Sequence, residues 1–169
     1  MNRRLFLALV PVALAAGCGF QLRRVGSLPF ARLYIDAPAG SAVDPRLRSM
    51  LAADKTTELT ATVGEAEAVL KITQEEHAKT IFTLTGGGRV SEYRLSLKLS
   101  YTVSGKDGRV LAAPEAFELN RVMTYDDSLL LAKGAEEQLL YRDMDDNAAL
   151  RIMRRLQTLK PDTGSGSGS

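Results

Sequence analysis

The chain has 169 residues, 45% of them hydrophobic and 25% charged, which suits one domain with a sizeable core and argues against wholesale disorder or two full domains. Its 22 basic and 20 acidic residues leave a net charge of +2, so there is no global basic field to attract nucleic acid. One histidine, one cysteine and no tryptophan leave little material for metal centres or for thiol and imidazole catalysis.

The first seventeen residues read as a signal peptide and not as part of the fold. Arg3 and Arg4 form a positive start, and Leu5 to Ala16 is an apolar stretch with no polar face and too short to span a bilayer comfortably. Its end, Leu14-Ala15-Ala16-Gly17-Cys18, resembles a bacterial lipobox, with Ala15 where a leucine is usual. In that motif the cysteine thiol is diacylated, the signal is cut before it and the new amine is acylated. A lone cysteine in an exported chain has no partner for an intramolecular disulfide. Several acyl chains anchor far more firmly than one, each buried methylene adding roughly 0.8 kcal/mol. A discarded or unmodified thiol is the alternative. Gly19, in place of aspartate, fits the sorting pattern for the outer membrane. Without Arg3 and Arg4 the chain carries 20 basic and 20 acidic residues, so an anionic ligand must be met by a local cluster.

Residues 18–30 read as an acylated N-terminus and tether, and 31–160 as a single domain. "ARLYIDAP" (31–38) predicts a short strand closed by Pro38. In 40–56, Asp44 as N-cap, Pro45 at the first helical position and Leu47, Met50 and Leu51 on one face predict a helix. Residues 67–85 predict a long, rather polar strand, ended by a turn at Gly86-Gly87-Gly88. From 92 to 105, Tyr93, Leu95, Leu97, Leu99, Tyr101 and Val103 alternate with polar residues, the mark of a strand with one face buried and one wet. "GKDG" (105–108) makes a hairpin turn, and 109–125 returns as a strand in which Pro114 implies a bulge or an edge position. Residues 128–159 predict a long helix whose stripe is Leu140, Met144, Ala148, Ile152, Leu156 and Leu159. The tail 161–169, ending in "GSGSGS", has the composition of a linker. The expected fold is α+β: a two-layer sandwich of two helices on one face of a four-stranded, mostly antiparallel sheet.

No catalytic constellation is evident, and neither a cofactor nor a metal is expected. His77 lies among Glu75, Glu76 and Lys79 and reads as a surface histidine. The adjacent carboxylates Asp126-Asp127, Glu136-Glu137 and Asp145-Asp146 read as solvated surface or helix caps. The triple glycine lacks the Gly-Lys-Ser/Thr of a phosphate loop. Arg89 after the glycines, Arg94 and Lys98 on one strand face, and Lys133 at the start of the last helix could instead pair with phosphates, or simply be solvated.

"CGFQLR", "GGRVSEYRLSLKLSYTV" and "LAKGAEEQLLYRDM" leading into "ALRIMRRL" together resemble the LptE family of lipopolysaccharide-assembly lipoproteins. The resemblance runs over nearly all of Cys18 to Leu159. It implies an acyl-anchored protein on the periplasmic face of the outer membrane, seated as a plug in the LptD β-barrel in a one-to-one complex that delivers lipopolysaccharide to the outer leaflet. It also implies two helices on four strands, and lipopolysaccharide binding by basic residues at the central hairpin turn and at the start of the last helix. Lys133 matches the second position. The first falls in the triple glycine near Gly86, where Arg89 is the nearest basic residue, and Arg94 lies close by. An accessory lipoprotein of another envelope assembly, with no lipopolysaccharide site, is the alternative; a tethered hydrolase would have to depend on His77.

Overall fold

The computed structural model describes residues 28–159. The signal segment, Cys18, residues 18–27 of the tether and the tail from residue 160 lie outside the described residues. In chain order the elements are β1 (Arg32–Asp36), α1 (Asp44–Asp54), β2 (Glu58–Leu59), β3 (Ala68–Leu84), β4 (Val90–Gly105), β5 (Val110–Thr124) and α2 (Leu130–Gln157). Short 3-10 turns at Val63–Glu65 and Asp127–Leu129 precede β3 and α2.

The sheet is five-stranded and mixed, in the order β2-β1-β3-β4-β5, which corrects the expected four strands. Two residues of β2 are too few to show any periodicity, so the pairing of Arg32 with Glu58 and Leu33 with Leu59 has no sequence signal. α1 is the crossover that brings β2 back parallel to β1. β1 also pairs in parallel with β3, from Leu33–Ala68 to Asp36–Lys71. The long hairpins β3–β4 and β4–β5 are antiparallel, as the turn chemistry predicts. Gly88, at φ +77 in the first turn, takes a backbone conformation that side chains disfavour. Pro114 lies on the edge strand within a register irregularity opposite Tyr101–Val103, where its missing N–H disrupts no ladder.

Both helices cover one face. The alternation in β4 sends Leu95, Leu97, Leu99, Tyr101 and Val103 into the core, all essentially inaccessible, against Leu47 and Leu51 of α1 and Met144, Ala148, Ile152 and Leu156 of α2. The predicted stripe of α2 is therefore buried in its middle, while Leu140 and Leu159 pack only partly. The other sheet face carries Arg94, Lys98 and Ser100, and among the described residues no helix covers it.

Asp44 does not cap α1, contrary to its expected role. It is the first helical residue, and its carboxylate pairs with Arg48 at 2.9 Å. The cap comes from the sheet: Glu75 of β3 accepts from the backbone N–H of Ala42 (2.7 Å) and Val43 (3.2 Å) and from the Ser41 hydroxyl (2.5 Å). Ser41 Oγ in turn accepts from the Asp44 N–H. This satisfies donors that the first turn of a helix leaves free.

Leu97 sits on the central face of β4 and is fully buried. Leu97→Ala should lower the unfolding free energy by ~2–5 kcal/mol, read from urea denaturation followed by circular dichroism.

Candidate functional site

One end of the molecule is unusual in what it leaves in solvent. It is formed by the β3–β4 turn, the last residues of β5 and the start of α2. Exposed there are Ile81, Phe82 and Leu84 of β3, Val122 of β5, and Leu129, Leu130 and Leu131, the last of them 90% accessible. The turn of α2 that carries Leu130 and Leu131 precedes the buried stripe, so these leucines have no core to enter. The sequence signal was present: three consecutive leucines at a helix start cannot all face one side.

The three expected basic residues lie at this end but on different faces. Arg89 is exposed in the turn, its N–H donating to Thr85 Oγ1 at 3.2 Å. Arg94 is exposed on the open sheet face, its guanidinium 4.2 Å from the Phe82 ring centroid, a cation–π stack that leaves its outer edge to solvent. Lys133 lies on the helix-covered side, only 15% exposed, with Nζ 2.8 Å from Glu136 and 3.0 Å from Thr124 Oγ1. Its charge is already answered within the chain. Phe82 is the contributor that sequence reasoning missed.

The same end is braced from within. Tyr93 and Tyr125 meet edge to face at 5.0 Å, Lys79 lies 4.3 Å over Tyr93, and Lys79 Nζ is 2.6 Å from Glu137 of α2. Asp126 caps the following turn, accepting from the Ser128 N–H at 2.9 Å, and hydrogen bonds from Ser128 hold its carboxyl below the ordinary range. That matches the cap reading of the Asp126-Asp127 pair.

His77 is exposed, as the sequence leads one to expect, but it is also tied to α2. The bulge between Ile72 and Gln74 puts it on the helix-covered face, where its Nε2 lies 2.7 Å from Asp145 Oδ1 of α2 and its ring meets Tyr141 edge on at 5.1 Å. Asp145, unlike His77, is not solvated surface: its side chain is 5% exposed. Arg46 of α1 approaches its other oxygen at 3.8 Å and pairs with Asp146 at 2.7 Å. Burial, opposed by His77 and Arg46, raises the Asp145 carboxyl above its ordinary range. Glu75, His77 and Asp145 offer ligand-type atoms within 4.8 Å of one another. Each is already committed, Glu75 to the start of α1 and His77 and Asp145 to each other, and Arg46 stands beside them. The grouping works as a polar fastening between β3, α1 and α2.

These features define a two-layer α+β domain whose distinctive surface is an apolar end set with cations. No helix among the described residues is long and apolar enough to cross a membrane. Residues 30–156 match the family model of LptE, lipopolysaccharide assembly, and the chain belongs to that family. It is 27% identical over 163 residues to the LPS-assembly lipoprotein LptE of Photorhabdus laumondii, covering 94% of this chain and 88% of that one. The LptE of Pectobacterium atrosepticum gives 27% over 170 residues with the same coverage. Among solved structures, an uncharacterized lipoprotein B from Nitrosomonas europaea superposes with a TM-score of 0.73 at 32% identity, covering 82% of this chain and 90% of that one. The rare lipoprotein B of Shewanella oneidensis shares the fold, with a TM-score of 0.64 at 23% identity over 74% of this chain and 92% of that one.

A pH prediction follows from Asp145. Its folded carboxyl holds a proton more tightly than the unfolded chain does, so the stability tied to that proton is complete below the unfolded value, near 3.9. It is lost as pH rises through the folded value. Between pH 3 and 6 the unfolding free energy of Asp145→Asn should therefore rise relative to wild type, as measured by paired urea titrations.

Proposed function

We propose that this chain is an outer-membrane lipoprotein, acylated at Cys18 and held on the periplasmic face, that seats in and supports the LptD β-barrel and binds lipopolysaccharide on its way to the outer leaflet. Membership of the lipopolysaccharide-assembly family supports the general role. The observation that carries the ligand is the end of the molecule where Leu84, Leu129 and Leu131 are exposed near Arg89 and Arg94. Lipopolysaccharide joins acyl chains to phosphates. A surface that offers apolar side chains and guanidinium groups together meets both parts, since guanidinium forms charge-assisted, bidentate hydrogen bonds with phosphate.

Arg89 and Arg94 carry this reading more than Lys133 does. Lys133 must leave Glu136 before it can serve a ligand, whereas Arg94 is held ready by Phe82. The open sheet face supports the plug role: Ser100, Lys98 and Glu118 are polar neighbours across β4 and β5, suited to the polar, hydrated lumen of a wide barrel. The ten residue-to-residue steps from Cys18 to Leu28 reach at most about 35 Å when extended. An acylated Cys18 would therefore confine the domain close to the membrane surface and raise its effective concentration at the barrel.

The test has two parts. The tagged full chain, solubilised from outer membrane in detergent, should retain a large β-barrel at one-to-one through high salt; retention of some other envelope complex would replace the plug reading with an accessory role elsewhere. Purified Arg89→Glu/Arg94→Glu should bind lipopolysaccharide roughly tenfold more weakly, about 1.4 kcal/mol. Lys98→Glu, farther along the same face, should bind like wild type. Equal binding by all three proteins would remove the assigned ligand end.

A further inference from the structure

The two halves of α2 turn opposite kinds of side chain to the solvent. The second half is ordinary: Met144, Ala148, Ile152 and Leu156 are buried, while Asp146, Asn147, Arg151 and Arg154 stand in water. In the first half the polarity is inverted. Its charged residues are partly covered and engaged within the chain: Lys133 meets Thr124 at 3.0 Å and Glu136 at 2.8 Å, and Glu137 meets Lys79 of β3 at 2.6 Å. The exposed positions are Leu131, Ala132, Gly134, Ala135, Gln138 and Leu139, with Leu139 60% accessible. Leu131, Ala135 and Leu139 recur every four residues and so form one stripe along the helix. The stripe is about 12 Å long at the rise of an α-helix. Charge returns to the exposed side only at Arg142 and Asp143. Exposed leucines scattered singly are common on protein surfaces. A helix segment that keeps its charges toward the protein and its apolar side in water reverses the usual arrangement.

We propose that an acyl chain of lipopolysaccharide lies along this stripe, between Leu131 and Leu139 and over Ala135. The proposal rests on the ligand assigned above and adds where its hydrocarbon goes. The chemistry of the stripe selects the occupant. Apart from the Gln138 amide, its side chains offer no hydrogen-bonding group, so a methylene chain leaves nothing unpaired there. Ala135, with Ala132 and Gly134 beside it, is low between two leucines, which suits a thin ligand. Protein interfaces are enriched in aromatic and arginine side chains and depleted in alanine; the stripe has alanine and neither of the others. A helix lying on a bilayer flanks its apolar face with cations that meet the headgroups. The cation of this segment, Lys133, is only 15% exposed and is taken by Glu136 and Thr124. The stripe also runs on from Leu129 and Leu130, which are exposed at the ligand end, so a chain can pass onto it from a head group held at that end.

The test separates chain from head group. Leu131→Gln/Leu139→Gln makes the stripe polar with a residue that suits a helix, at two positions already in water. The purified full mature chain is titrated with lipopolysaccharide and with the same lipopolysaccharide stripped of all its acyl chains. The variant should bind the intact molecule roughly tenfold more weakly than wild type does and the stripped molecule equally well. Arg89→Glu/Arg94→Glu should weaken binding of both. Should the double glutamine variant lose helicity, Ala135→Gln, which raises a polar side chain in mid-stripe, should give the same selective loss. Wild-type affinity of the stripe variants for intact lipopolysaccharide, with the arginine variant weakened, would overturn the acyl-chain site and leave the ligand assignment standing. That result together with loss of the retained β-barrel would give the stripe to a protein partner, and together with loss of binding to phosphatidylcholine vesicles would give it to a bilayer. Equal weakening toward both molecules would also overturn it. A wild-type chain that binds neither molecule would overturn the ligand assignment, and the site with it.

Discussion

The rest of the structure depends on one mismatch in strand length. β3 has seventeen residues, yet β1 pairs with only the first four registered positions beside it, from Ala68 to Lys71. Where β1 is present, the sheet is five strands wide, both helices lie over it and the buried residues concentrate. Beyond Ile72 the sheet narrows to the three strands β3, β4 and β5, and past the start of α1 at Glu75 only α2 runs along its covered face. Leu95, Leu97 and Leu99 are still enclosed there, but toward the tip a three-stranded blade with a single helix leaves apolar side chains uncovered. Polar links therefore take over from the hydrophobic core, and Ile81, Leu84 and the leucines at the start of α2 stay in water. The exposed end is a direct result of how far β3 outruns its parallel neighbour.

The long elements were legible in the sequence because each carries many turns or pleats of a single period. The alternation from Tyr93 to Val103 and the four-residue steps from Leu140 to Leu156 left little freedom. What escaped was set by long-range partnership. β2 exists only because α1 returns the chain beside β1, and nothing in Glu58-Leu59 announces it. The bulge after Ile72 shifts the alternation of β3, and with it His77, still exposed, comes to the face shared with α2. Asp145 was grouped with Asp146 as solvated because neighbours on a helix look alike in sequence, while burial separates them sharply. Asp146 stays open to solvent at Arg46, and Asp145 is enclosed.

The candidate ligand end was half legible. Arg89, Arg94 and Lys133 were found by residue type, and their common location follows from the hairpin and the helix start. Their availability was not readable, because it depends on near neighbours in space. Phe82 stacks on Arg94 through a diagonal contact between strands, and Glu136 occupies Lys133 three residues away on the same helix turn. The same cation type is thus presented at one position and neutralised at the other.

The cap on α1 has a consequence for how the chain assembles. The donors at the start of the helix are met by Glu75, more than thirty residues later and on another strand. An eleven-residue helix is marginal by itself in water, and this one makes no side-chain cap hydrogen bond at its N-cap position. Its first turn is complete only once β3 has taken its place beside β1. The parallel crossover, the helix and the central strand thus complete one another's hydrogen bonding. A nascent chain released before residue 75 emerges would hold the sequence of α1 without the contact that completes it.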